Sequence, residues 1–227
     1  MTESYVQNCV RSYVLRTGRF TPAQRKAYDS LAQKFIIPLG EEKADFEKIF
    51  GNNNPVTAEI GFGMGLATAA IAEANPCKNY LGIEVHRPGI GRLLWEIENR
   101  GLSNIRIVEN DAVNVMEKML PLACLQAIHI FFPDPWPKKK HYKRRLVQRP
   151  FTETLAKRLR QDGYLYMVTD WKDYGVHALA ELNASVGLRN AYEGFAEPQR
   201  WRPSTGFEQK GLKKNHSIWE LFYYKAP

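Results

Sequence analysis

Short apolar runs alternate with segments of helical periodicity along most of the chain. The runs are rich in β-branched and aromatic residues, which indicates buried strands. Between two of them, the segment from Pro88 to Asn99 has apolar residues at the i, i+3, i+4 and i+7 positions counted from Ile90, and Gly101 lies just past its end. This pattern is typical of a helix that packs one face on a sheet. The repeated strand and helix pairs predict βαβ units, and therefore a mostly parallel, doubly wound α/β sheet.

The N-terminal part of the chain differs from the rest. The segment Thr21–Gln24 combines an N-cap residue, a proline at the first helical position and a capping box, so a helix is predicted from there to about Lys34. Residues 38–54 are interpreted as a linker. We therefore expect a basic arm, helix and linker over residues 1–54, and an α/β domain over residues 55–227.

The remaining elements of the α/β domain are predicted as one series. Strands are expected at Val56–Ile60, Tyr80–Val85, Ile105–Val108, Leu125–Phe132, Tyr164–Thr169 and Ile218–Tyr224, the last of them antiparallel. Besides the helix already described, helices are expected from about Met64, from Ala112 to Met119, and from Pro150 to a stop at Gly163.

A glycine-rich turn follows the first predicted strand. The sequence EIGFGMG begins at Glu59 and places Gly61, Gly63 and Gly65 before the first helix, where missing side chains let the backbone approach a ligand. Alone, this pattern is almost as typical of a simple tight turn. However, Glu84 ends the second strand 19 residues after Gly65, where an acid can bind ribose hydroxyls. The GxGxG spacing differs from the GxGxxG that pyrophosphate binding requires, which favours S-adenosylmethionine over a nicotinamide dinucleotide.

Two polar residues, Asn110 and Asp111, follow the third predicted strand. A carboxylate at this point can contact the adenine amino group of the same cofactor. An aspartate before Ala112 is equally typical of a helix N-cap, and one residue can serve in both roles.

Residues 131–145 read FFPDPWPKKKHYKRR and join a stiff acidic tip to a block of cations. The three prolines restrict their own φ angles and those of the preceding residues, so Asp134 and Trp136 have little conformational freedom. Because the tip follows the fourth strand, where α/β proteins bind ligands, we expect Asp134 to be catalytic. An aspartate that only orders a proline turn is the weaker alternative. Trp136 is predicted either to stack on an extruded base or to anchor the loop.

The cations of this segment dominate the charge of the protein. Seven Lys or Arg residues and no acid lie between Lys138 and Arg149, in a chain of 227 residues with a formal net charge of +8. Such clustering exceeds ordinary surface mixing and indicates phosphate docking. The run lacks an opposing apolar face, which favours nucleic acid over a lipid surface. The predicted RNA-docking residues are Lys140, His141, Tyr142, Lys143, Arg144 and Arg145. Arg11, Arg16 and Arg19 either extend this surface or belong to a disordered tail.

Several classes of protein are excluded by composition. The cysteines, Cys9, Cys77 and Cys124, are odd in number and unpaired by any CxxC motif, so neither a disulfide framework nor a zinc cluster is expected. The five histidines share no metal-ligand spacing, and His129 is expected in the core. No export signal or membrane span is visible. We expect a cytoplasmic protein with no metal and no membrane partner.

Taken together, these motifs resemble the tRNA (guanine-N(7)-)-methyltransferase family. The resemblance spans roughly residues 10–225 and is carried by EIGFGMG, LGIEVH, NDA, FFPDPWPKKKHYKRR, TDW at Thr169–Trp171 and STGFEQKG at Ser204–Gly211. It implies a Rossmann-like class I methyltransferase domain that transfers a methyl group from S-adenosylmethionine to N(7) of a guanosine in tRNA, usually at position 46 of the variable loop. By the family pattern the cofactor contacts include Glu59, Glu84, Asp111 and Asp134, beside the three glycines and Asn110. The substrate contacts are Lys138, Asp170, Thr205, Gly206, Phe207 and Glu208.

Two positions depart from the family pattern. Lys140 stands where many relatives have Arg, which keeps the charge but loses the bidentate fork. Gly206 occupies a variable position that is often basic in relatives, so no side-chain contact is available there. Both changes concern substrate affinity and leave the cofactor acids intact.

The chemistry leaves some roles open. Guanine N(7) carries an in-plane lone pair and no proton, so alignment is the main catalytic task. Asp134 can stabilise the migrating charge, orient the guanine edge, or both. Asp170 ends the fifth strand and either contacts the substrate or caps the helix after Trp171. The alternatives are an exocyclic-amine methyltransferase of nucleic acid and a non-catalytic tRNA-binding module; the sequence leaves open whether the chain is a monomer or a homodimer.

Overall fold

The computed structural model describes residues 12–13, 18–204, 208 and 217–227. Its helices are α1 (Pro22–Phe35), α2 (Phe46–Phe50), α3 (Leu66–Ala74), α4 (Arg87–Arg100), α5 (Ala112–Asn114, continued by a π-helical turn at Val115–Met119), α6 (Phe151–Arg158) and α7 (Lys172–Asn183), with a 3₁₀ helix at Lys139–Arg144. Its strands are β1 (Val56–Ile60), β2 (Asn79–Glu84), β3 (Ile105–Glu109), β4 (Leu125–Phe131), β5 (Leu159–Thr169), β6 (Leu188–Asn190) and β7 (Trp219–Lys225).

The described strands form one sheet in the order β3-β2-β1-β4-β5-β7-β6. The strands from β1 to β5 pair in parallel, whereas β7 runs antiparallel to both β5 and β6. The prediction of a doubly wound, mostly parallel sheet with a late antiparallel strand is confirmed. Since the chain moves outward from β1 to β3 and then returns to β4, a crevice is expected at the carboxyl ends of β1 and β4.

Each face of the sheet is covered by its own group of helices. Helices α1, α3 and α4 share a core with one face, and the apolar stripe that begins at Ile90 is fully buried in it. The other face packs against α5, α6 and α7, with Leu155, Ala178 and Leu182 completely buried. Each buried leucine or isoleucine side chain contributes about 1.5–3 kcal/mol relative to exposure. This burial holds the strand ends in place.

Helix α1 is packed directly on α4. Its predicted capping box is present: the Thr21 backbone donates to Oε1 of Gln24 at 2.8 Å, and the Gln24 backbone donates to Oγ1 of Thr21 at 3.2 Å. A Cβ at Gly91 of α4 would lie 2.7 Å from the Gln24 carbonyl oxygen, so the glycine permits the close approach. The hydroxyl of Tyr28 also donates to Glu109 at the end of β3.

One boundary and two short elements differ from the sequence prediction. The supposed linker contains α2, which Asp45 caps by accepting from the Lys48 backbone at 3.2 Å and which places Phe50 in the core. Helix α6 ends at Arg158, before Gly163, because the guanidinium of Arg158 donates to a carbonyl of the π-helical turn and β5 begins at once. The three-residue strand β6 was not predicted, since it is too short to show a period-2 pattern.

Candidate active site

The glycine turn after β1 is open on one side and tightly packed on the other. Gly61, Gly63 and Gly65 adopt φ angles of 72°, 57° and 69°, in the left-handed region that favours glycine. A Cβ at Gly61 or Gly63 would meet no atom within 4 Å, whereas one at Gly65 would lie 2.7 Å from the Cβ of Leu93. The first two glycines therefore leave room for a ligand, and the third lets α3 and α4 pack together.

Glu84 ties the glycine turn to the end of β2. One of its carboxylate oxygens accepts a hydrogen bond from the Gly63 backbone at 2.9 Å. The other accepts from the backbones of Val85 at 2.7 Å and His86 at 3.0 Å. A carboxylate offers about four acceptor positions, so these three bonds fix its orientation and leave room for one further donor.

Glu59 is a buried acid inside β1. It is 4% exposed, and burial raises the pKa of its carboxyl to about 7, with the negative charge of Glu84 adding to the effect. The nearby hydroxyl of Thr68 lowers the pKa of Glu59 and so opposes this shift, but the two groups do not form a well-directed hydrogen bond. The Thr68 hydroxyl oxygen is buried and has no other hydrogen-bond partner in the described part of the chain. A buried acid with so little support is a natural partner for a cationic ligand group.

The acids at the end of β3 have structural partners. Oδ1 of Asp111 accepts from the backbones of Val113 at 2.9 Å and Asn114 at 3.4 Å, so its predicted N-cap role is confirmed. Oδ1 of Asn110 accepts from the Asp111 backbone at 2.9 Å. Glu109, which the sequence analysis did not single out, accepts from Tyr28 and from Arg87 and joins this edge to α1 and α4.

The proline-rich tip leaves β4 in an unusual conformation. Phe132 and Trp136 have φ angles of 51° and 45°, which are unfavourable for bulky side chains and here bracket Asp134. Asp134 is exposed. The tip is thus a strained loop that presents a carboxylate at the edge where the glycine turn also ends.

Trp136 is the anchor of this tip. Its indole Nε1 donates to the Ser12 carbonyl at 3.0 Å, and the guanidinium of Arg144 lies 4.2 Å from its ring centroid. The ring of His141 approaches it edge-on at 5.6 Å. These contacts favour the anchoring role over base stacking, and they bring Ser12 against the tip.

The cationic block divides into exposed and inward-facing residues. Lys138, Lys139, Lys140 and Lys143 are exposed, whereas His141, Tyr142 and Arg144 are half-buried. Partial burial, together with neighbouring cations, lowers the pKa of the His141 imidazole, which keeps it neutral near pH 7. Arg145 contradicts the docking prediction because its side chain is 1% exposed and forms an ion pair with Asp173. A run of cations in a sequence shows their charge but not the direction of each side chain.

The predicted substrate residues at the other end of the site are only partly described. Asp170 is half-buried after β5, and the N-cap residue of α7 is Trp171, so Asp170 does not occupy the cap position. Thr205, Gly206 and Phe207 lie outside the described residues, as do Arg11 and Arg16 of the arm. Arg19 is exposed.

Glu208 belongs to a buried ion-pair network. Its two carboxylate oxygens accept from Arg202 at 2.7 and 2.9 Å, and Arg202 also donates to Glu220 of β7 at 2.9 Å. The hydroxyl of Tyr166 donates to the same Glu220. This network was not predicted, because only Glu208 lies in a recognisable motif and its partners Arg202 and Glu220 stand 6 and 12 residues away with no regular spacing.

His129 lies in the core, as predicted. It is enclosed by the rings of Phe131, Tyr164, Tyr166 and Trp201, and burial lowers the pKa of its imidazole to about 3. It is therefore neutral and packs as an aromatic residue. Within the described ranges, no cluster of three His, Cys, Asp or Glu residues is arranged to hold a metal ion, and no helix is long and apolar enough to cross a membrane.

The sheet order, with a glycine turn after β1 and acids at successive strand ends, is that of the class I methyltransferase fold. Solved structures of this fold include the 16S rRNA methyltransferase KamB, with a TM-score of 0.61 at 14% identity over 82% of this chain and 95% of that chain. An antibiotic-related methyltransferase gives a TM-score of 0.55 at 19% identity over 83% of this chain and 98% of that chain. At such identities the likeness shows the fold alone.

Sequence relatives define the family more narrowly. A family model described as "Putative methyltransferase" matches residues 53–221. A tRNA (guanine-N(7)-)-methyltransferase of Nitrosospira multiformis is 44% identical over 99% of this chain and 98% of its own length. One of Nitrosomonas eutropha is 48% identical over 96% of this chain and 97% of its own length. The chain belongs to the tRNA (guanine-N(7)-)-methyltransferase family.

Proposed function

We propose that this protein transfers a methyl group from S-adenosylmethionine to N(7) of a guanosine in tRNA, with position 46 of the variable loop as the target. The main support is the surroundings of Asp134. This carboxylate follows β4, beside the glycine turn of β1, and four exposed lysines follow it within ten residues. The proposed catalytic carboxylate and a surface that can bind a polyanion are thereby joined in one short segment.

The described residues suit a cationic nucleoside cofactor. Gly61 and Gly63 leave open space at the end of β1, and the buried carboxyl of Glu59 gains a counter-ion when a cation approaches. Glu84 has an acceptor position left for a ribose hydroxyl, and Asn110 and Asp111 are the proposed adenine contacts. When bound, S-adenosylmethionine supplies an electrophilic methyl carbon.

The protein has little proton chemistry to perform. The N(7) lone pair forms the new bond to the methyl carbon while the carbon–sulfur bond breaks and its electron pair stays on sulfur. No proton has to leave N(7) first, so positioning supplies most of the rate enhancement. Holding the reacting atoms about 3–3.5 Å apart in line recovers up to roughly 7–11 kcal/mol of the barrier.

Asp134 is the proposed catalytic residue. Its carboxylate lies beside the path along which positive charge moves onto the purine, which it stabilises. It can also accept hydrogen bonds from N(1)–H and the exocyclic amine of guanine. Both roles require a rigid tip, which the strained residues Phe132 and Trp136 and their anchors supply. Asp134 also belongs to the proposed cofactor contacts.

The tRNA is proposed to dock on the exposed lysines of the block and on the family's substrate residues. Lys140 and Lys143 are directed to solvent on the 3₁₀ helix, where they can meet phosphates. Lys138, Asp170 and Glu208, with the segment 205–207, are the proposed contacts to the target nucleotide. Of these, Glu208 already forms a bidentate ion pair with Arg202, which gives its carboxylate a fixed orientation.

Methylation of a defined tRNA transcript tests the proposal. The purified protein is incubated with labelled cofactor and with a transcript carrying G46 or A46, and the nucleosides are then separated by liquid chromatography against methylguanosine standards and identified by mass spectrometry. We expect 7-methylguanosine from the G46 transcript only. Label in an exocyclic-amine product would support the alternative chemistry, and cofactor-dependent label in neither transcript would reject the proposal.

A further inference from the structure

The last arginine of the cationic block is built into the protein. Arg145 follows the 3₁₀ helix, and its side chain is 1% exposed although every other member of the run from Lys138 to Arg144 is exposed or half-buried. A guanidinium is rarely buried to this extent unless its donors are satisfied. Its partners therefore indicate what it does.

One partner is the catalytic tip itself. Nε of Arg145 donates to the Pro135 carbonyl at 3.1 Å, and this carbonyl belongs to the residue that directly follows Asp134. A charged donor makes a stronger hydrogen bond than a neutral one. The contact fixes the backbone on one side of the proposed catalytic carboxylate.

The other partners belong to rigid elements. Nη2 of Arg145 donates to Oδ2 of Asp173 in the first turn of α7. The guanidinium also lies 3.7 Å from the ring centroid of Tyr142 and 5.1 Å from that of Tyr174, which is fully buried in α7. The hydrogen bond from Arg145 holds the pKa of the Asp173 carboxyl below its ordinary value, so the pair is charged at neutral pH.

We propose that Arg145 is a positioning residue for Asp134, which it couples to the start of α7. The inference rests on the catalytic role proposed for Asp134. The tip needs such a connection because Phe132 and Trp136 both hold unfavourable left-handed backbone conformations. The hydrogen bond from Trp136 to Ser12 fastens one side of the tip, and Arg145 fastens the Pro135 carbonyl on the other.

The two possible roles of Arg145 predict different kinetics. Loss of a positioning contact lowers the methyl-transfer rate at saturating tRNA, since a misplacement of about 1 Å costs roughly 100-fold. Loss of a phosphate contact instead weakens tRNA binding and lowers the slope of log affinity against log salt by slightly less than about 1. Single-turnover rates and salt-dependent dissociation constants separate these effects.

Four variants make the test decisive. Arg145→Gln removes the charge, and Arg145→Lys keeps the charge but loses the planar fork that reaches both Pro135 and Asp173. Asp173→Asn weakens the same pair from its surface side, because that carboxylate is 55% exposed and leaves no cavity when changed. Arg160→Gln is the matched control: it breaks an exposed arginine–aspartate pair near the start of β5, away from the tip.

We expect both Arg145 variants to transfer the methyl group about 10- to 100-fold more slowly than wild type, with an unchanged salt slope. Asp173→Asn should slow the reaction about 3- to 10-fold, and Arg160→Gln should match wild type. A wild-type rate in Arg145→Lys, or a reduced salt slope in Arg145→Gln, would overturn the inference. If the Arg145 variants do not fold, a wild-type rate in Asp173→Asn overturns it. Absence of 7-methylguanosine with the wild-type protein would instead reject the proposed function.

Discussion

Ionisation of Glu59 should be coupled to cofactor binding. This acid is buried in β1, and in the ligand-free protein burial raises its pKa to about 7. A bound cofactor brings positive charge to the same edge of the sheet, which favours the carboxylate. Binding should therefore release a proton, and Glu59→Gln should remove both the proton release and much of the affinity.

The size of the effect follows from the two pKa values. The ordinary pKa of 4.5 and the pKa of about 7 in the folded protein differ by an amount that corresponds to about 3 kcal/mol of free energy. Because the folded pKa is raised, Glu59 contributes most to the stability of the ligand-free fold below pH 4.5, and this contribution is lost as the pH rises toward 7. The ionised fraction of Glu59 rises from about 3% at pH 5.5 to about half at pH 7.0, so cofactor affinity should rise about 15-fold over this range.

Isothermal titration calorimetry measures the coupling directly. S-adenosylmethionine is titrated at pH 5.5, 6.2 and 7.0 in two buffers of different ionisation enthalpy, a range in which the amino group of the ligand stays charged. Glu98→Gln is the control, since this residue is an exposed acid on α4. An affinity that does not change with pH in the wild-type protein, or Glu59→Gln binding as tightly as wild type, would refute the reasoning.

Three further outcomes are expected. Asp134→Asn should lower the single-turnover rate at least 100-fold while the tRNA dissociation constant changes less than about threefold. If the rate and the tRNA affinity instead fall by the same factor, Asp134 is not the catalytic residue. Replacing Lys140 and Lys143 together with Ala should lower the slope of log affinity against log salt by up to about 2, as filter binding at four salt concentrations can show, and an unchanged slope would exclude phosphate contacts from both. Arg202→Met should lower the free energy of unfolding in urea by about 3–5 kcal/mol, because the buried carboxylates of Glu208 and Glu220 lose the cation that they share. A loss below about 1 kcal/mol would show that the network carries little stability.

Much of the fold could be predicted because local signals agree with the global arrangement. The stripe from Ile90, the capping box at Thr21 and the strand spacing all point to the observed elements. The errors occur where tertiary contacts override local pattern. Helix α6 stops early because Arg158 is bound by the π-helical turn, and no sequence pattern near Gly163 shows that contact.

Part of the candidate site could also be predicted, since strand ends bring chemically useful residues to one edge. The glycine turn and the acid Glu84 follow this rule, and the structure joins them by a hydrogen bond. The partnership of Arg202, Glu208 and Glu220 could not be predicted from their positions. The three residues share no regular spacing, and Tyr166 of β5 reaches Glu220 only because β7 returns antiparallel beside β5.

The block of cations shows why charge counting overstates a docking surface. Of the seven basic residues between Lys138 and Arg149, Arg145 is buried and Arg149 is paired with Glu181 of α7. Four exposed lysines have side chains directed to solvent. Since each phosphate contact contributes about 0.7–0.9 to the salt slope, these lysines supply a slope of at most about 4, although seven contacts would give about 6. A larger measured slope would therefore have to come from other cations, such as the exposed Arg19 of the N-terminal segment.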